Sequence, residues 1–288
     1  MEEFPDSSSE KIEQRLADWR EEQCEWRQGD CVIQSCDFLW LTDVRYPLTE
    51  AGRNAATEDA EVAAQAFPGA VVLTQTCDVV RSCDKRPFLE VAPLIVVEPN
   101  HLAEIKRGRQ PGYLFLPALE ERRLVGDLSR PMTVEKSVVA GWDRIPGWEH
   151  DHEALALSRA IVRRLERFAF PNDIVQMYGK WEQRIKKKHG TASPEGQLLD
   201  QILEIRVEAD PGWEADSIAV TFLCILPEGN ESLEKEVLAQ FLEWEALIEK
   251  PQRVASVRLD VERLSTLTAQ RYLASSRMDF DHLSARKA

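Results

Sequence analysis

The chain has 288 residues, 43% of them hydrophobic and 30% charged, with a formal net charge of −14. That is room for one large or two ordinary globular domains, and no apolar run approaches the ~20 residues a membrane-crossing helix needs. The acidic balance excludes a surface that binds nucleic acid over its whole extent. The first residues, MEEFPDSSSE, lack the basic start and apolar core of a secretory signal. A cytoplasmic protein is expected, with its six cysteines (24, 31, 36, 77, 83 and 224) reduced.

The charge is uneven. Residues 1–25 hold nine acids against three bases, whereas residues 159–189 hold nine Lys or Arg against Glu166, Asp173 and Glu182. A basic island in an acidic chain either binds phosphate or faces the protein's own acids. The second reading needs no ligand and is preferred.

In chain order, residues 1–9 are Ser- and acid-rich and read as a disordered tail. Glu10–Gln28 reads as a helix with Ile12, Leu16, Trp19 and Trp26 on one stripe, ended by Gly29-Asp30. Cys31-Val32-Ile33 starts a strand, and Phe38–Leu41 continues or partners it. Tyr46–Gly69 reads as an Ala- and Glu-rich insertion with a short helix near Glu58–Ala66. The apolar run Ala70–Leu73 then predicts a buried strand that delivers Thr74-Gln75-Thr76-Cys77-Asp78 to its exit.

Pro87–Val97 predicts a second strong strand, interrupted at Pro93, and Pro99 opens a short helix to about Arg107. Tyr113–Leu116, Leu124–Leu128 and Met132–Val139 complete a β-rich domain over 10–147, whose short punctuated strands predict a small barrel or curled sheet. Residues 148–288 read as a helical domain with a small mixed sheet. Its first helix carries a stripe of Ala154, Leu155, Ser158, Ile161, Val162, Leu165 and Phe168. A second helix starts at Pro171-Asn172-Asp173 and ends in Lys186-Lys187-Lys188-His189-Gly190, which suits a helix C-terminus. Strands are expected at 203–207, 217–226 and 257–261, with an amphipathic helix over 231–249 and a packed tail over 268–284. The fold class is therefore α+β.

In the first domain Gly29-Asp30 leads into a strand, followed by Pro68-Gly69-Ala70-Val71-Val72-Leu73-Thr74 and then Val91-Ala92-Pro93-Leu94. That order resembles the PemK/MazF-type toxins over residues 28–98. The resemblance implies an SH3-like barrel. The family's RNA cleavage uses an Arg just before the strand's Pro and a Thr after the Ala-Pro pair; here those positions are Phe67 and Ile95. Without a cation to stabilise charge at phosphorus, the resemblance implies the barrel but not the ribonuclease activity. The Gln-Thr-Cys-Asp step is also similar to uncharacterised bacterial proteins of phage-defence and mobile-element neighbourhoods.

Cys77 and Asp78 are the candidate catalytic pair, a thiol nucleophile and a carboxylate, with a turn-forming cysteine and cap as the simpler alternative. Candidate binding residues are Thr74, Gln75, Thr76 and Arg81 at the strand exit. Arg163, Arg167, Lys186, Lys187 and Lys188 join them from the basic helices, where Tyr178 and Trp181 could stack bases or fill a core. Cys31, Cys36, Cys77 and Cys83 invite a zinc reading, but their C-x4-C and C-x5-C spacings are looser than paired C-x-x-C knuckles, and within one strand Cys31 and Cys36 would face opposite sides unless a bulge or turn intervened. Glu149-His150-Asp151-His152 is explained by a helix start, and Asp279, Asp281 and His282 read as solvated tail residues. No metal site and no cofactor is expected. Phosphate-loop, dinucleotide and G-x-S-x-G motifs are all missing.

With no complete catalytic constellation, the chain reads as a non-catalytic accessory or adaptor protein. It is expected to bind another macromolecule, a protein first, in the setting of a prokaryotic defence or toxin-like operon, and not a membrane. An RNA-binding protein or endoribonuclease of the PemK/MazF type, with Arg81, Arg86 or the helices of residues 159–188 beside the barrel cleft, is one alternative. A cysteine hydrolase using Cys77 is the other.

Overall fold

The computed structural model describes residues 7–21, 23–166, 168–229 and 231–278, and in it helices and strands are mixed as an α+β protein with a strand-rich N-terminal half. Two units are separable. The first takes the described residues through Lys106 together with Gln110–Leu165, and the second takes Arg107–Arg109 and the described residues from Glu166 onward.

The first unit begins with α1 (Ser7–Arg20), so helix starts inside the expected tail, while residues 1–6 lie outside the described residues. Glu10 suits a first helical turn, where negative charge is favoured near unpaired N–H groups. The helix stops short of the expected Gln28. Trp26 leaves the helical path to be buried edge-on against Trp142, with ring centroids 6.3 Å apart.

Strands β1 (Cys31–Val32) and β2 (Cys36–Leu41) follow, then α2 (Glu50–Thr57), β3 (Val62–Phe67), β4 (Ala70–Val72) and the single turn α3 (Thr76–Val79). The helix expected near Glu58–Ala66 is thus displaced, with α2 ahead of it and a strand in its place. Alanine favours helix, but β3 pairs antiparallel along all of β2 and buries Ala63 and Phe67, and tertiary pairing overrides that preference.

After β5 (Phe88–Val96) come α4 (Pro99–Lys106), β6 (Tyr113–Leu114), a 3₁₀ turn at Pro117–Arg122, β7 (Leu124–Asp127), β8 (Met132–Glu135), α5 (Lys136–Ala140) and α6 (Asp151–Leu165). β5 runs through Pro93 without interruption. β8 pairs with β5 as far as Val91, and β7 takes over from Leu94. The missing N–H of Pro93 falls at that changeover, where no ladder bond is lost.

The main sheet runs β1-β4-β5-β7-β6 with β8 also on β5, and β2-β3 form a separate two-stranded sheet. Because β1 and β6 end the path, the described strands form an open sheet, so of the small barrel or curled sheet expected no closed barrel is formed among them. Its faces are covered differently. Ala70 and Val72 join a core with Trp19, Phe38, Leu89 and Val139, while Val71 joins one with Leu94, Leu114, Leu124 and Leu157. Alternate residues of β4 thereby reach opposite cores, which is why its sequence is apolar without interruption.

Leu157, with Ala160 and Ile161 against the same core, also draws α6 into the first unit, beyond the boundary expected at 147. The face used differs from the expected stripe, since Leu155, Val162 and Leu165 are exposed.

In the second unit, α7 (Asn172–Lys188), α8 (Pro194–Leu199) and α9 (Glu231–Glu245) accompany β9 (Glu204–Asp210), β10 (Ile218–Leu226) and β11 (Val254–Arg263), with α10 (Ala269–Ala274) and β12 (Ser276–Arg277) at the end. The sheet order is β11-β10-β9-β12, and only the β10–β11 pair is parallel. A parallel neighbour requires a crossover, which α9 supplies. Its core centres on Trp181, whose ring lies 4.8 Å from Phe222 and 5.7 Å from Trp244. Tyr178 is buried in the same core, so the two aromatics of the basic helix pack inward and offer no stacking platform.

Candidate functional site

The exit of β4 is the best-supported centre in the first unit, and it is built as a knot of backbone contacts. The Gly29 N–H donates to the Val72 carbonyl at 2.8 Å, and the Val72 N–H donates to the Asp30 carbonyl at 2.9 Å. Gly29 adopts φ +89, a conformation open to glycine at little cost. One residue on, the Leu73 carbonyl accepts Gln28 Nε2 at 2.7 Å.

The polar side chains of the exit are spent on this framework. Thr74 Oγ1 accepts the Glu90 N–H at 2.7 Å and Thr76 Oγ1 accepts the Gln28 N–H at 3.1 Å. The Cys77 thiol is exposed and donates to Gln75 Oε1 at 3.7 Å. Asp78 lies 3.8 Å from Arg86 Nε and 4.0 Å from Arg81 Nε, beyond hydrogen-bond distance and in half-exposed surroundings where such pairs contribute little. Thr74 through Arg81 are therefore adjacent, as their sequence positions require. Among the described residues the thiol's hydrogen-bond partner is an amide oxygen and not an imidazole.

Two further layers, which the sequence reading missed, hold the exit in place. Trp19 Nε1 donates to the Val79 carbonyl at 2.8 Å, and the buried Lys136 ammonium donates to the carbonyls of Arg81 and Asp78 at 2.5 and 3.3 Å. On the other side Asp30 is fully buried, accepting Arg144 Nη1 at 2.9 Å and the Arg27 N–H at 2.8 Å. The Arg27 guanidinium lies 3.8 Å over the Trp148 ring, whose Nε1 donates to the Gln28 carbonyl at 2.8 Å. Only Gly29-Asp30 carried a local signal; Arg144 and Lys136 reach their partners from more than 50 residues away.

The remaining candidates are scattered. Arg163 lies on α6 in the first unit, Arg167 lies outside the described residues, and Lys186, Lys187 and Lys188 close α7 in the second. Lys186 pairs with Glu182 at 2.5 Å, Lys188 lies 4.0 Å from Glu195, and Lys187 is exposed. Arg184 forks onto Glu195 at 2.8 and 2.9 Å, and Lys180 pairs with Glu249. Much of the basic island thus meets acids of its own unit.

Among the described residues no three His, Cys, Asp or Glu side chains gather as a metal-ligand set. The Glu153 carboxylate accepts the N–H groups of Glu149 and His150 at 2.8 and 3.1 Å, which accounts for the acidic start of α6. Asp279, Asp281 and His282 lie outside the described residues. Phe67 packs edge-on against Phe38 with centroids 5.5 Å apart, so an apolar contact occupies the position where the toxin resemblance would require an Arg. A cleft of about 200 Å³ opens between Cys36, Phe38, Met132, Val134 and Trp142, room for a side chain rather than for a typical small-molecule ligand. Among the described residues no helix is long and apolar enough to cross a membrane. No protein-family profile, curated protein or solved structure matches this chain.

Proposed function

We propose that the protein is a non-catalytic accessory or adaptor that binds another protein. The observation that carries this reading is the use of the strand-exit side chains. Among the described residues Thr74 and Thr76 are committed to backbone N–H groups, Cys77 has an amide oxygen as its hydrogen-bond partner, and Asp78 faces arginines at the limit of ion-pair distance. A reaction centre needs such groups free and convergent on a substrate atom. A rigid scaffold for recognition does not.

The test is affinity capture from the native host with the full chain, beside Cys77→Ala and a Lys186→Glu/Lys187→Glu/Lys188→Glu variant. One protein recovered in stoichiometric amount, unaffected by Cys77→Ala, is the expected result. RNA recovered with wild type and lost on charge reversal would replace the reading with nucleic-acid binding. A covalent species that needs the intact thiol would replace it with an enzyme.

A further inference from the structure

The two-stranded sheet β2-β3 presents a face that the described residues leave exposed. Registers Leu41↔Val62, Leu39↔Ala64 and Asp37↔Ala66 put these six side chains on one side of the pair. All six are exposed, Leu41 at 83% and Leu39 at 52%, although the other side of the same strands carries the buried Cys36, Phe38, Ala63 and Phe67. An apolar face this continuous on a pair of strands is a mark of an interaction surface rather than of ordinary surface composition.

The backbone adds an independent observation. Leu39 donates its N–H away from β3, to Met132 Sδ at 3.3 Å, and the Thr42 N–H bonds to the Glu61 carbonyl at 2.8 Å. In an antiparallel ladder that alternation makes Leu39↔Ala64 a pair without mutual hydrogen bonds, so the N–H and C=O groups of Val62, Ala64 and Ala66 point away from β2. Among the described residues these outward groups have no hydrogen-bond partner, and the strand VAAQAF contains no Lys, Pro or bulge of the kind that blunts an edge.

The rim sets the partner's charge. Glu58, Asp59 and Glu61 are exposed where the chain enters β3, and the exposed Asp37 stands opposite Ala66 at the other end. Arg130, which reaches Gln65 of β3 at 3.5 Å, is already paired with Asp127 at 2.6 Å, and Arg45 is paired with Asp43 at 2.7 Å.

We infer that β3 is a strand-addition site for an extended segment of a partner protein. That segment carries apolar residues at alternate positions, which extend the Leu39–Leu41–Val62 face, and Lys or Arg at its ends, which meet the acidic rim. Main-chain bonds to Val62, Ala64 and Ala66 supply the generic affinity, and the apolar face and the rim select the sequence. An anionic membrane or nucleic acid would be repelled by the same rim. The inference rests on the adaptor reading and names its docking surface.

The probe is a fluorescent nine-residue peptide alternating Val and Thr between terminal lysines, titrated by anisotropy against the full chain. Controls are its glutamate-ended counterpart and a copy N-methylated at alternate amides. At low salt the lysine-ended peptide should bind at least tenfold more tightly than either control, and added salt should weaken it. Ala64→Pro removes one outward N–H and leaves the β2 ladder untouched, and should weaken binding at least tenfold. Leu41→Ser with Val62→Ser, which changes exposed side chains only, should also weaken it severalfold. Equal binding by wild type and Ala64→Pro, or by the peptide and its N-methylated copy, would overturn the proposal. So would a concentration-dependent dimer in sedimentation that Ala64→Pro abolishes, because the edge would then belong to a second copy. Host-partner capture undiminished by Ala64→Pro would sink this surface while leaving the adaptor reading standing.

Discussion

The Lys136 ammonium donates to the Arg81 carbonyl at 2.5 Å and lies 5.7 Å from the centroid of the Trp19 ring. At 1% exposure it is one of the largest buried side chains of its unit, and it joins the start of α5 to the turn that follows β4. Burial pulls its pKa below the ordinary lysine value, against the opposing pull of Cys83, Cys24 and Asp78. Lys136→Met keeps the stem and withdraws the donor, leaving the carbonyls of Arg81 and Asp78 without this bond. The expected loss is about 1–3 kcal/mol in urea denaturation, with faster amide exchange over residues 76–86. An unchanged midpoint would show that the ammonium is not an anchor.

On the opposite side of the exit, Asp30 has two cations within ion-pair distance, Arg144 Nη1 at 2.9 Å and Arg27 Nη2 at 3.6 Å, and only the first is close enough to hydrogen-bond. Arg144→Met leaves the buried carboxylate with only the longer contact to Arg27 and should cost about 3 kcal/mol, the lower end of the penalty for breaking a buried pair. Asp30→Asn added to Arg144→Met removes the under-compensated charge, so the double variant should be more stable than Arg144→Met alone. Additive losses in that cycle would mean that the two groups are not coupled.

These two anchors mark the limit of what the sequence discloses. The apolar run at Ala70–Leu73 and the lysine-terminated helix over 172–188 are local patterns, and local patterns decide burial and helix ends. β3 is different. Its alanines favour helix in isolation, and only a pairing partner more than 20 residues away makes it a strand. Thr74 and Thr76 were legible as polar groups at a strand exit, but not as ligands of the Glu90 and Gln28 amides, which lie 16 and 48 residues away. The partners that decide between catalysis and scaffolding are long-range, and spacing carries no record of them.

In the second unit, acid should act in two steps. Burial lowers the His189 pKa, against the opposing pull of Asp200 and with help from Arg109 and Arg107. The unfolded chain therefore takes up this proton first as pH falls below 6.5, and stability is lost from there down to the folded value. For Glu195, burial raises the pKa, but hydrogen bonds from Arg184 and Trp244 outweigh it and hold the carboxyl below 4.5. Its contribution is complete above that pH and disappears as pH falls through the folded value. Unfolding midpoints measured from about pH 8 to pH 3 should lose the first step in His189→Gln and the second in Glu195→Gln. Retention of both steps in both variants would assign the acid sensitivity to other groups.

On the charged face of the same sheet, Arg271 is the cation shared by Glu208, Asp260 and Glu262, which belong to β9 and β11. The hydrogen bonds that Arg271 donates to Glu208 and Asp260 raise its pKa further. Arg271→Met would leave three carboxylates facing one another. The variant should unfold at lower temperature than wild type, and the difference should shrink as salt screens the repulsion. A difference that stays constant from low to high salt would assign the effect to lost packing of α10 instead.

The thiols separate the scaffold from the enzyme most directly. Burial pushes Cys31 and Cys224 well above the ordinary thiol pKa, and pushes Cys24 up to about 11, whereas Cys77 is exposed. A thiol reagent near neutral pH should modify Cys77 fully before Cys31 and Cys224 react. Because the hydrogen-bond partner of Cys77 is the Gln75 amide oxygen, its rate should not exceed that of a small free thiol at the same pH. Cys77→Ala should move stability by no more than about 0.5 kcal/mol, as expected for an exposed side chain outside the packed framework. Labelling many times faster than the free thiol would mean that a base reaches Cys77 in solution, and the hydrolase reading would then displace the adaptor.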